Sequence, residues 1–423
     1  MNISSIRRRA LAAAVVGTLV LAACGDDDDS SSETTAAGAA TTGGATTTAG
    51  GTETTKGGST TTTEGGTATT KGGSTTTTKG GSSTTAGGSG TTAPMKPVSG
   101  TLVGSGATSQ AAAMQAWTVG FQETNPDATV QYDPVGSGGG RTAFLSGGAD
   151  FAGSDAALND EDFEKSKERC GDDGAIDLPH YISPIAIAYN LPGVDGLKLT
   201  PATTAGIFAG KITKWDDAAI KADNSGVELP DTAINPVHRS DESGTTQNFT
   251  DYLHATAPDV WSEEAAQAWP DSFGGEGAQG TSGVVAAIGA GEGSVGYADA
   301  SQVGELGVAQ IKVGSAFVEL SAEAAAKAVE VSDKTPGRSQ YDVSFKLNRT
   351  TTEAGVYPIT LVSYHIVCLK YGDQAKADLV KAFMGYVGSS GGQEAAAKAA
   401  GSAPMTAELM KQVVTSVEQI SAG

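Results

Sequence analysis

The feature that most limits what this chain can fold into is a sharp change of composition near residue 98. Between residues 30 and 92 the sequence consists of Gly, Thr, Ser and Ala with a few charges, and it has almost no apolar side chains. Such a segment cannot bury enough apolar surface to offset the entropy lost on ordering. We therefore expect residues 24–97 to be a disordered tether, with the folded structure confined to the rest of the chain.

The segment that precedes the tether is typical of an export signal. Arg7, Arg8 and Arg9 are followed by an apolar stretch over residues 11–20, which is too short to span a membrane. Small residues then precede Cys24, as in the bacterial site of lipid attachment. We expect residues 1–23 to be a lipoprotein signal peptide and Cys24 to carry a lipid anchor. The alternative is an ordinary secretory signal that is cleaved near the same position.

The charge of the chain narrows the class of partner. With 27 basic and 48 acidic residues the net charge is −21, and removal of the three arginines of the signal peptide changes it to −24. This excess of negative charge argues against nucleic acid or anionic lipid headgroups as a partner. Any anion site must therefore bind through local geometry, against an unfavourable overall field.

Two cysteines, Cys170 and Cys368, remain after Cys24. In an exported protein they are expected to form a disulfide, with two separate buried thiols as the alternative. Neither cysteine has metal-ligand spacing, and the four histidines are scattered along the chain. We expect no metal site and no cofactor.

From residue 98 onward, short apolar runs alternate with helical patterns, which predicts an α/β architecture with largely parallel sheets. Residues 182–190 are nearly all apolar, as expected for a strand that is covered on both faces. About 325 residues is long for one such core, so the pattern favours two lobes.

Three predicted strand-to-helix junctions, residues 104–109, 136–141 and 239–245, are rich in glycine and hydroxylated residues. Each places free backbone N–H groups and hydroxyls at a helix N-terminus, where the helix dipole favours an anion. A single junction of this kind is usually a plain helix cap. Three in one chain indicate an oxyanion site. Residues 206–211 resemble a P-loop but are one residue short, and the folded part contains no Gly-x-Ser-x-Gly nucleophile motif.

Further short motifs extend this pattern over nearly the whole folded part. In chain order they span residues 104–108, 136–140, 150–155, 188–193, 210–217, 238–241, 243–246, 293–297 and 357–360. In composition and order they resemble the phosphate-binding proteins that serve Pst-type ABC transporters. The resemblance implies a two-lobed, hinged fold of the periplasmic-binding-protein type II class. One lobe would contain residues 98–189 plus 362–423, and the other residues 190–361.

The resemblance also implies roles for individual residues. The phosphate-binding residues would be Thr108, Ser109, Ser137, Asp155, Arg239, Ser243, Gly244 and Thr245. Asp155 would be the single acceptor among donors, and Asp241 would hold Arg239 in place. A carboxylate can only accept a hydrogen bond, whereas phosphate near neutral pH keeps a proton that sulfate lacks. Asp155 would therefore favour phosphate over sulfate, because a bound sulfate would leave it buried without a donor.

Two positions depart from the family pattern, because Ser109 stands where an aromatic residue is usual and Glu242 stands where glycine is usual. The resemblance implies an extracellular or periplasmic lipoprotein, monomeric and anchored at the outer face of the cytoplasmic membrane. It would bind inorganic phosphate without catalysis and deliver it to the permease subunits of an ABC transporter. The alternatives are a phosphate sensor or surface protein, a secreted phosphatase, and a binder of sulfate or molybdate, against which Asp155 argues.

Overall fold

The computed structural model describes residues 97–336 and 338–423, so the predictions for residues 1–96, including Cys24, lie outside the described residues. The strands are β1 Gly100–Gly106, β2 Ala128–Asp133, β3 Phe151–Ser154, β4 Ala175–Tyr189, β5 Lys198–Leu199, β6 Asn235–Arg239, β7 Glu276–Ala278, β8 Ser294–Asp299, β9 Gly307–Val308, β10 Gln310–Val313, β11 Ala316–Val318, β12 Asp333–Lys334, β13 Phe345–Lys346, β14 Thr360–Cys368, β15 Lys370–Tyr371 and β16 Ser421–Ala422. The helices are α1 Ala111–Thr124, α2 Ser137–Leu145, α3 Asp160–Cys170, α4 Pro201–Phe208, α5 Ala218–Asp223, α6 Gly244–Thr256, α7 Gly280–Ala290, α8 Ala322–Glu330, α9 Gln374–Val387, α10 Ser390–Ala400 and α11 Ala407–Glu418, with a 3-10 turn at Ala300–Gln302.

The main sheet has the strand order β2-β1-β3-β14-β4-β8-β6-β7, and β9 pairs with β4 outside this path. The outer pairs are parallel, namely β1 with β2 and β3, and β6 with β7 and β8. Pairings of β14 with β3 and β4, and of β4 with β8 and β9, are antiparallel. The predicted α/β architecture is confirmed, but the centre of the sheet is antiparallel where the alternation of strands and helices predicted parallel pairing.

The strand β4 connects the two halves of the sheet. It has 15 residues, all buried, and it includes the apolar run that the sequence predicts to be covered on both faces. Residues 175–184 pair with β14, whereas residues 185–189 pair with β8. A strand shared in this way makes the two half-sheets continuous through their backbone hydrogen bonds. The predicted lobe boundaries at residues 189 and 362 stay a prediction.

The parallel pairs bring the ends of several strands to common edges. In the first half-sheet the last residue of β1, Gly106, lies opposite Gly153 of β3, so these two strands end side by side. In the second half-sheet β6 ends at Arg239, beside β7. Helices α1, α2 and α6 begin shortly after β1, β2 and β6. The ends of these strands and the beginnings of the helices that follow them therefore lie at the same edge of each half-sheet.

The predicted disulfide is confirmed: Cys170, the last residue of α3, is bonded to Cys368, the last residue of β14, across 198 positions of sequence. Within residues 97–336 and 338–423, every helix is too short or too polar to traverse a bilayer.

Candidate anion-binding site

Three helix N-termini begin at the three predicted junctions. Neither α1, which begins after Gln110, nor α2, which begins after Gly136, has a side-chain cap. Gly136 has a φ of 94°, a conformation that favours glycine, and it turns the chain into α2. By contrast, α6 is capped by Ser243, whose hydroxyl accepts a hydrogen bond of 3.3 Å from the N–H of Thr246. First-turn N–H groups have no partner within their helix and carry partial positive charge.

Asp155 lies at the centre of the site and is 3% exposed. Its Oδ1 accepts hydrogen bonds from the hydroxyls of Ser109 at 2.5 Å and Ser363 at 2.6 Å. Its Oδ2 accepts one from Thr245 at 2.9 Å. Thr245 is on α6, which follows β6 of the second half-sheet, whereas Asp155 follows β3 of the first half-sheet. This carboxylate is therefore a direct link between the two halves of the molecule.

Ser137 and Gly244 pack closely against Asp155. The hydroxyl of Ser137 accepts a hydrogen bond of 3.2 Å from the N–H of Asp155. Gly244 is buried, and a Cβ added to it would lie 2.7 Å from the Cβ of Asp155 and 2.8 Å from the Oγ of Ser137. These distances are shorter than real Cβ contacts, so glycine is required for this approach of α6 to α2 and Asp155.

Thr108, which is half-buried, makes a second contact between the halves. Its Oγ1 lies 2.8 Å from the Oγ1 of Thr281 and accepts a hydrogen bond of 3.1 Å from the N–H of Thr281 in the first turn of α7. The side-chain amide of Gln302 donates to the carbonyl of Thr108 at 2.8 Å. Thr108 thus lies between the start of α1 and the start of α7.

Arg239 and Asp241 form a buried ion pair at the end of β6. The Nε of Arg239 donates to Oδ1 of Asp241 at 2.7 Å, and Nη2 donates to Oδ2. The N–H of Gly280 also donates to Oδ1 of Asp241 at 3.0 Å. Burial raises the pKa of Asp241, but the hydrogen bonds and charge of Arg239 outweigh burial, so the pKa lies below its usual value. Asp241 therefore stays ionised and fixes the guanidinium.

Glu242, the residue that departs from the family pattern, joins this loop to α2. Its carbonyl accepts a hydrogen bond of 3.1 Å from the N–H of Gly138, and its side chain lies against Gly138. The residue is exposed. A carboxylate at the N-terminus of α2 is favoured by the helix dipole, but its negative charge would repel an anion bound at the same N-terminus.

The structure brings only part of the predicted set together. Four of the predicted residues lie against Asp155, namely Ser109, Ser137, Gly244 and Thr245. Thr108 instead contacts α7, and Arg239 contacts Asp241.

Sequence reasoning missed several others that hold this assembly. The side-chain amide of Asn248 donates to the carbonyls of Asp155 at 2.7 Å and Gly244 at 2.9 Å. Arg349 in turn donates to the Oδ1 of Asn248 and pairs with Asp251 at 2.8 Å. Arg349 and Asn248 are 101 positions apart. No local motif contains both, so the sequence gives no signal for the contact.

The arrangement combines many hydrogen-bond donors with one buried acceptor. Backbone N–H groups, hydroxyls and one fixed guanidinium suit the oxygens of a tetrahedral anion. Asp155 adds an acceptor, which suits an anion that carries a hydrogen. Across the part of the chain that the structure describes, no three His, Cys, Asp or Glu residues lie close enough together to hold a metal ion.

Comparison with known proteins identifies the family. Residues 91–390 match the model of the PBP superfamily domain. This chain belongs to the PBP superfamily. Within it, phosphate-binding protein PstS 2 of Mycobacterium tuberculosis is 39% identical over 286 residues, covering 66% of this chain and 77% of that relative. Phosphate-binding protein PstS 3 of Mycobacterium leprae is 35% identical over 288 residues, covering 67% and 78%.

Solved structures support the same fold. The high-affinity periplasmic phosphate-binding protein PfluDING, solved with phosphate, has a TM-score of 0.61 and 22% identity to this chain, covering 75% of this chain and 93% of that one. The resemblance predicted from the sequence motifs is confirmed, and so is the α/β fold of the PBP superfamily. The ligand roles of individual residues stay a prediction.

Proposed function

We propose that this PBP-superfamily protein binds inorganic phosphate between its lobes and delivers it to the permease subunits of a phosphate ABC transporter. The observation that carries the proposal is the buried carboxylate of Asp155, which contacts residues from both halves of the molecule and is surrounded by donors. The relatives named above are phosphate-binding proteins, which supports the same ligand here.

The donors would divide the oxygens of phosphate among them. Ser109 and Thr245 would contribute backbone N–H groups, because their hydroxyl hydrogens are donated to Asp155. Ser137 would contribute its hydroxyl, and Thr108, Ser243 and Gly244 would complete the set. Arg239, which is buried and fixed by Asp241, would supply the positive charge. Because all of these groups bind and none is needed to break a bond, the proposed role is capture and release without catalysis.

Selectivity would come from Asp155. Phosphate near neutral pH retains at least one proton and can donate it to the carboxylate, whereas sulfate would place an oxygen lone pair against a buried negative charge. With sulfate, the one acceptor direction of Asp155 that its neighbours leave open would face no donor, which costs about 1–3 kcal/mol, and more for a charged group. The protein would thus reject sulfate by repulsion as well as select phosphate by attraction.

The proposal extends to location and assembly. Cys24 would carry the lipid anchor, and residues 24–97 would tether a monomeric binding domain outside the cytoplasmic membrane, in an extracellular or periplasmic position. Labelling with a radioactive fatty acid tests the anchor, since Cys24→Ser should abolish incorporation of the label. Incorporation that persists in this variant would contradict the assignment.

Calorimetry on the full chain in detergent tests the proposed ligand. We expect tight binding of phosphate, weaker binding of arsenate, and at least about tenfold weaker binding of sulfate, the factor that corresponds to 1.4 kcal/mol. Incubation with a chromogenic phosphate ester should give no turnover. Equal affinity for sulfate, or hydrolysis of the ester, would overturn the proposal.

A further inference from the structure

The carboxylate of Asp155 is held by two serine hydroxyls, and the family resemblance assigns this role to neither of them. Ser109 and Ser363 both donate to Oδ1, at 2.5 and 2.6 Å, and both side chains are buried. Ser363 lies in β14, which belongs to the centre of the main sheet. Ser109 stands where the family usually has an aromatic residue, and most aromatic side chains would provide no hydroxyl there. The hydrogen bond from Ser109 is therefore a departure of this chain from the family pattern.

The direction of the hydrogen bond from Ser363 is fixed by Gln110. The Nε2 of Gln110 lies 2.5 Å from the Oγ of Ser363 and 3.4 Å from the carbonyl oxygen of Tyr364. An amide nitrogen only donates, so Ser363 must accept from Gln110 and use its single hydrogen for Asp155. The flipped amide would point an oxygen at the Tyr364 carbonyl and take the Ser363 hydrogen away from Asp155, which the short contact to Oδ1 contradicts.

Counting lone pairs then assigns the two oxygens of Asp155 different tasks. An ionised carboxylate has about four acceptor directions, two on each oxygen. Ser109 and Ser363 use both directions on Oδ1, and Thr245 uses one on Oδ2. Among the described contacts, one direction on Oδ2 is not used by a side-chain hydroxyl. The ligand's hydrogen would be received at Oδ2.

Discrimination by repulsion works only if the repelling group cannot turn away. A carboxylate that rotated about its Cβ–Cγ bond could move its lone pair from a bound sulfate and present no penalty. Two short hydrogen bonds on Oδ1, one of them oriented by a buried amide, oppose this rotation. Rigid support from neighbouring side chains is how a binding group keeps its geometry.

We infer that Gln110 and Ser363, together with the side chain of Ser109, are positioning residues that set the selectivity for phosphate by locking the plane of the Asp155 carboxylate. Gln110 acts through Ser363, and Ser363 acts through Asp155. The inference rests on the proposed function. It assigns the three side chains an effect on the ratio of phosphate to sulfate affinity, beyond any effect on the fold.

The test is the affinity for phosphate, with sulfate affinity measured by competition, on the full chain in detergent. Ser363→Ala removes one of the two hydrogen bonds that hold Oδ1, so the carboxylate can rotate more freely. We expect phosphate affinity to fall modestly and the preference over sulfate to fall about tenfold, equivalent to 1.4 kcal/mol. Gln110→Met should shift the ratio in the same direction. Because Gln110 acts through Ser363, adding Gln110→Met to Ser363→Ala should leave the ratio where Ser363→Ala put it.

Ser416→Ala is the matched control, since Ser416 is equally buried but its hydroxyl donates to a carbonyl within α11. It should leave both affinities as in the wild type. The inference would be overturned if Ser363→Ala kept the wild-type ratio of phosphate affinity to sulfate affinity, whether both affinities were unchanged or both fell by the same factor. In each of these outcomes the wild type still binds phosphate, so they are distinct from a wild type that binds no phosphate, which would overturn the proposed function as well.

Discussion

At the scale of single residues, the site depends on side chains whose geometry is fixed by a neighbour. Arg239 is oriented by two hydrogen bonds to Asp241, and Asp155 is oriented by hydroxyls on both of its oxygens. Fixed charges avoid the cost of reorganisation when a ligand binds. The proposed selectivity therefore requires particular functional groups, and a chemically similar side chain should not perform the same role.

Replacing Arg239 with lysine tests this requirement. A lysine ammonium keeps the charge but lacks the planar fork that pairs with Asp241. We expect phosphate affinity to fall about 10- to 100-fold, corresponding to about 1.4–2.7 kcal/mol, as measured by calorimetry. Arg169→Lys on α3, where the guanidinium stacks over Phe144, is the control and should bind as the wild type does. Wild-type affinity in Arg239→Lys would show that charge alone suffices.

The residues of the site were predictable where they lie in local motifs. Thr108, Ser137 and the loop from Arg239 to Thr245 each sit in a short glycine- and hydroxyl-rich segment that precedes a helix. Ser363 and Arg349 lie outside any such segment. Ser363 is 208 positions from Asp155, inside a strand that is buried along its whole length. A polar side chain within an apolar strand is the one signal in the sequence, and it does not indicate which residue Ser363 contacts.

At the scale of elements, the site is formed by the starts of α1, α2 and α6, together with the residue that follows β3. Most of these elements were predictable from periodicity, with boundaries that differ by a few residues. The sequence predicts a helix that begins at the first junction, residues 104–109, whereas α1 begins at Ala111. The strand β14 was not predicted, because its continuous apolar and hydroxyl pattern carries no period that distinguishes a buried strand.

The approach of α6 to α2 and Asp155 leads to a prediction for Gly244→Ala. The added methyl group would overlap Asp155 and Ser137, which belong to the other half of the molecule, so it should prevent closure and weaken phosphate binding by at least about tenfold, or 1.4 kcal/mol. The fold should persist because alanine favours a helix.

Gly283→Ala is the matched control for this prediction. Gly283 lies in α7, where an added Cβ would meet its nearest neighbours at 3.7 and 3.8 Å, an ordinary contact distance. Calorimetry and circular dichroism of both variants separate closure from folding. Unimpaired binding in Gly244→Ala would contradict the proposed closed geometry.

At the scale of the whole molecule, β4 and its antiparallel partner β14 form the centre of the main sheet. Cys368 at the end of β14 is tied to α3 by the disulfide, and the buried His180 of β4 faces His365 of β14, with Nδ1 atoms 2.9 Å apart. The disulfide was predictable because an exported chain has only these two cysteines in its folded part. The histidine pair was not, because its members are 185 positions apart.

Loss of the disulfide should destabilise the fold without removing the site. The bond closes a loop across 198 positions, and chain-entropy arguments give a stabilisation of about 3–5 kcal/mol for long loops. The double variant Cys170→Ser with Cys368→Ser should therefore unfold at a lower urea concentration. In the absence of urea, where the variant is folded, its phosphate affinity should stay close to that of the wild type. An unchanged urea midpoint would contradict this contribution.

The histidine pair predicts a loss of stability in acid. Burial lowers the pKa of His365 to about 3, and burial followed by the charge of His365 lowers the pKa of His180 well below its usual value. Below pH 6.5 the unfolded chain binds protons that the folded chain does not. Stability is therefore lost as the pH falls from 6.5 towards 3, by up to about 1.4 kcal/mol per pH unit for each histidine.

Urea unfolding at pH 7, 6 and 5 measures this loss, and His365→Gln isolates it. Burial raises the pKa of Asp299 to about 6, so this group increases the stability of the fold as the pH falls through part of the same range. Comparing the variant with the wild type separates the histidine contribution from that of Asp299. The unfolding free energy of His365→Gln should fall less steeply with acid than that of the wild type. Equal slopes would exclude the pair as the cause.

In the proposed function, a single fixed carboxylate, Asp155, distinguishes a tetrahedral anion that carries a hydrogen from one that does not. Calorimetric affinities of Asp155→Asn for phosphate and sulfate test it most directly, because an amide can donate to sulfate where a carboxylate cannot. Asp378→Asn, an exposed acid on α9, is the control. We predict that the preference for phosphate over sulfate narrows about tenfold or more in Asp155→Asn, or at least 1.4 kcal/mol, and is retained in the control. An unchanged ratio in Asp155→Asn would contradict the account.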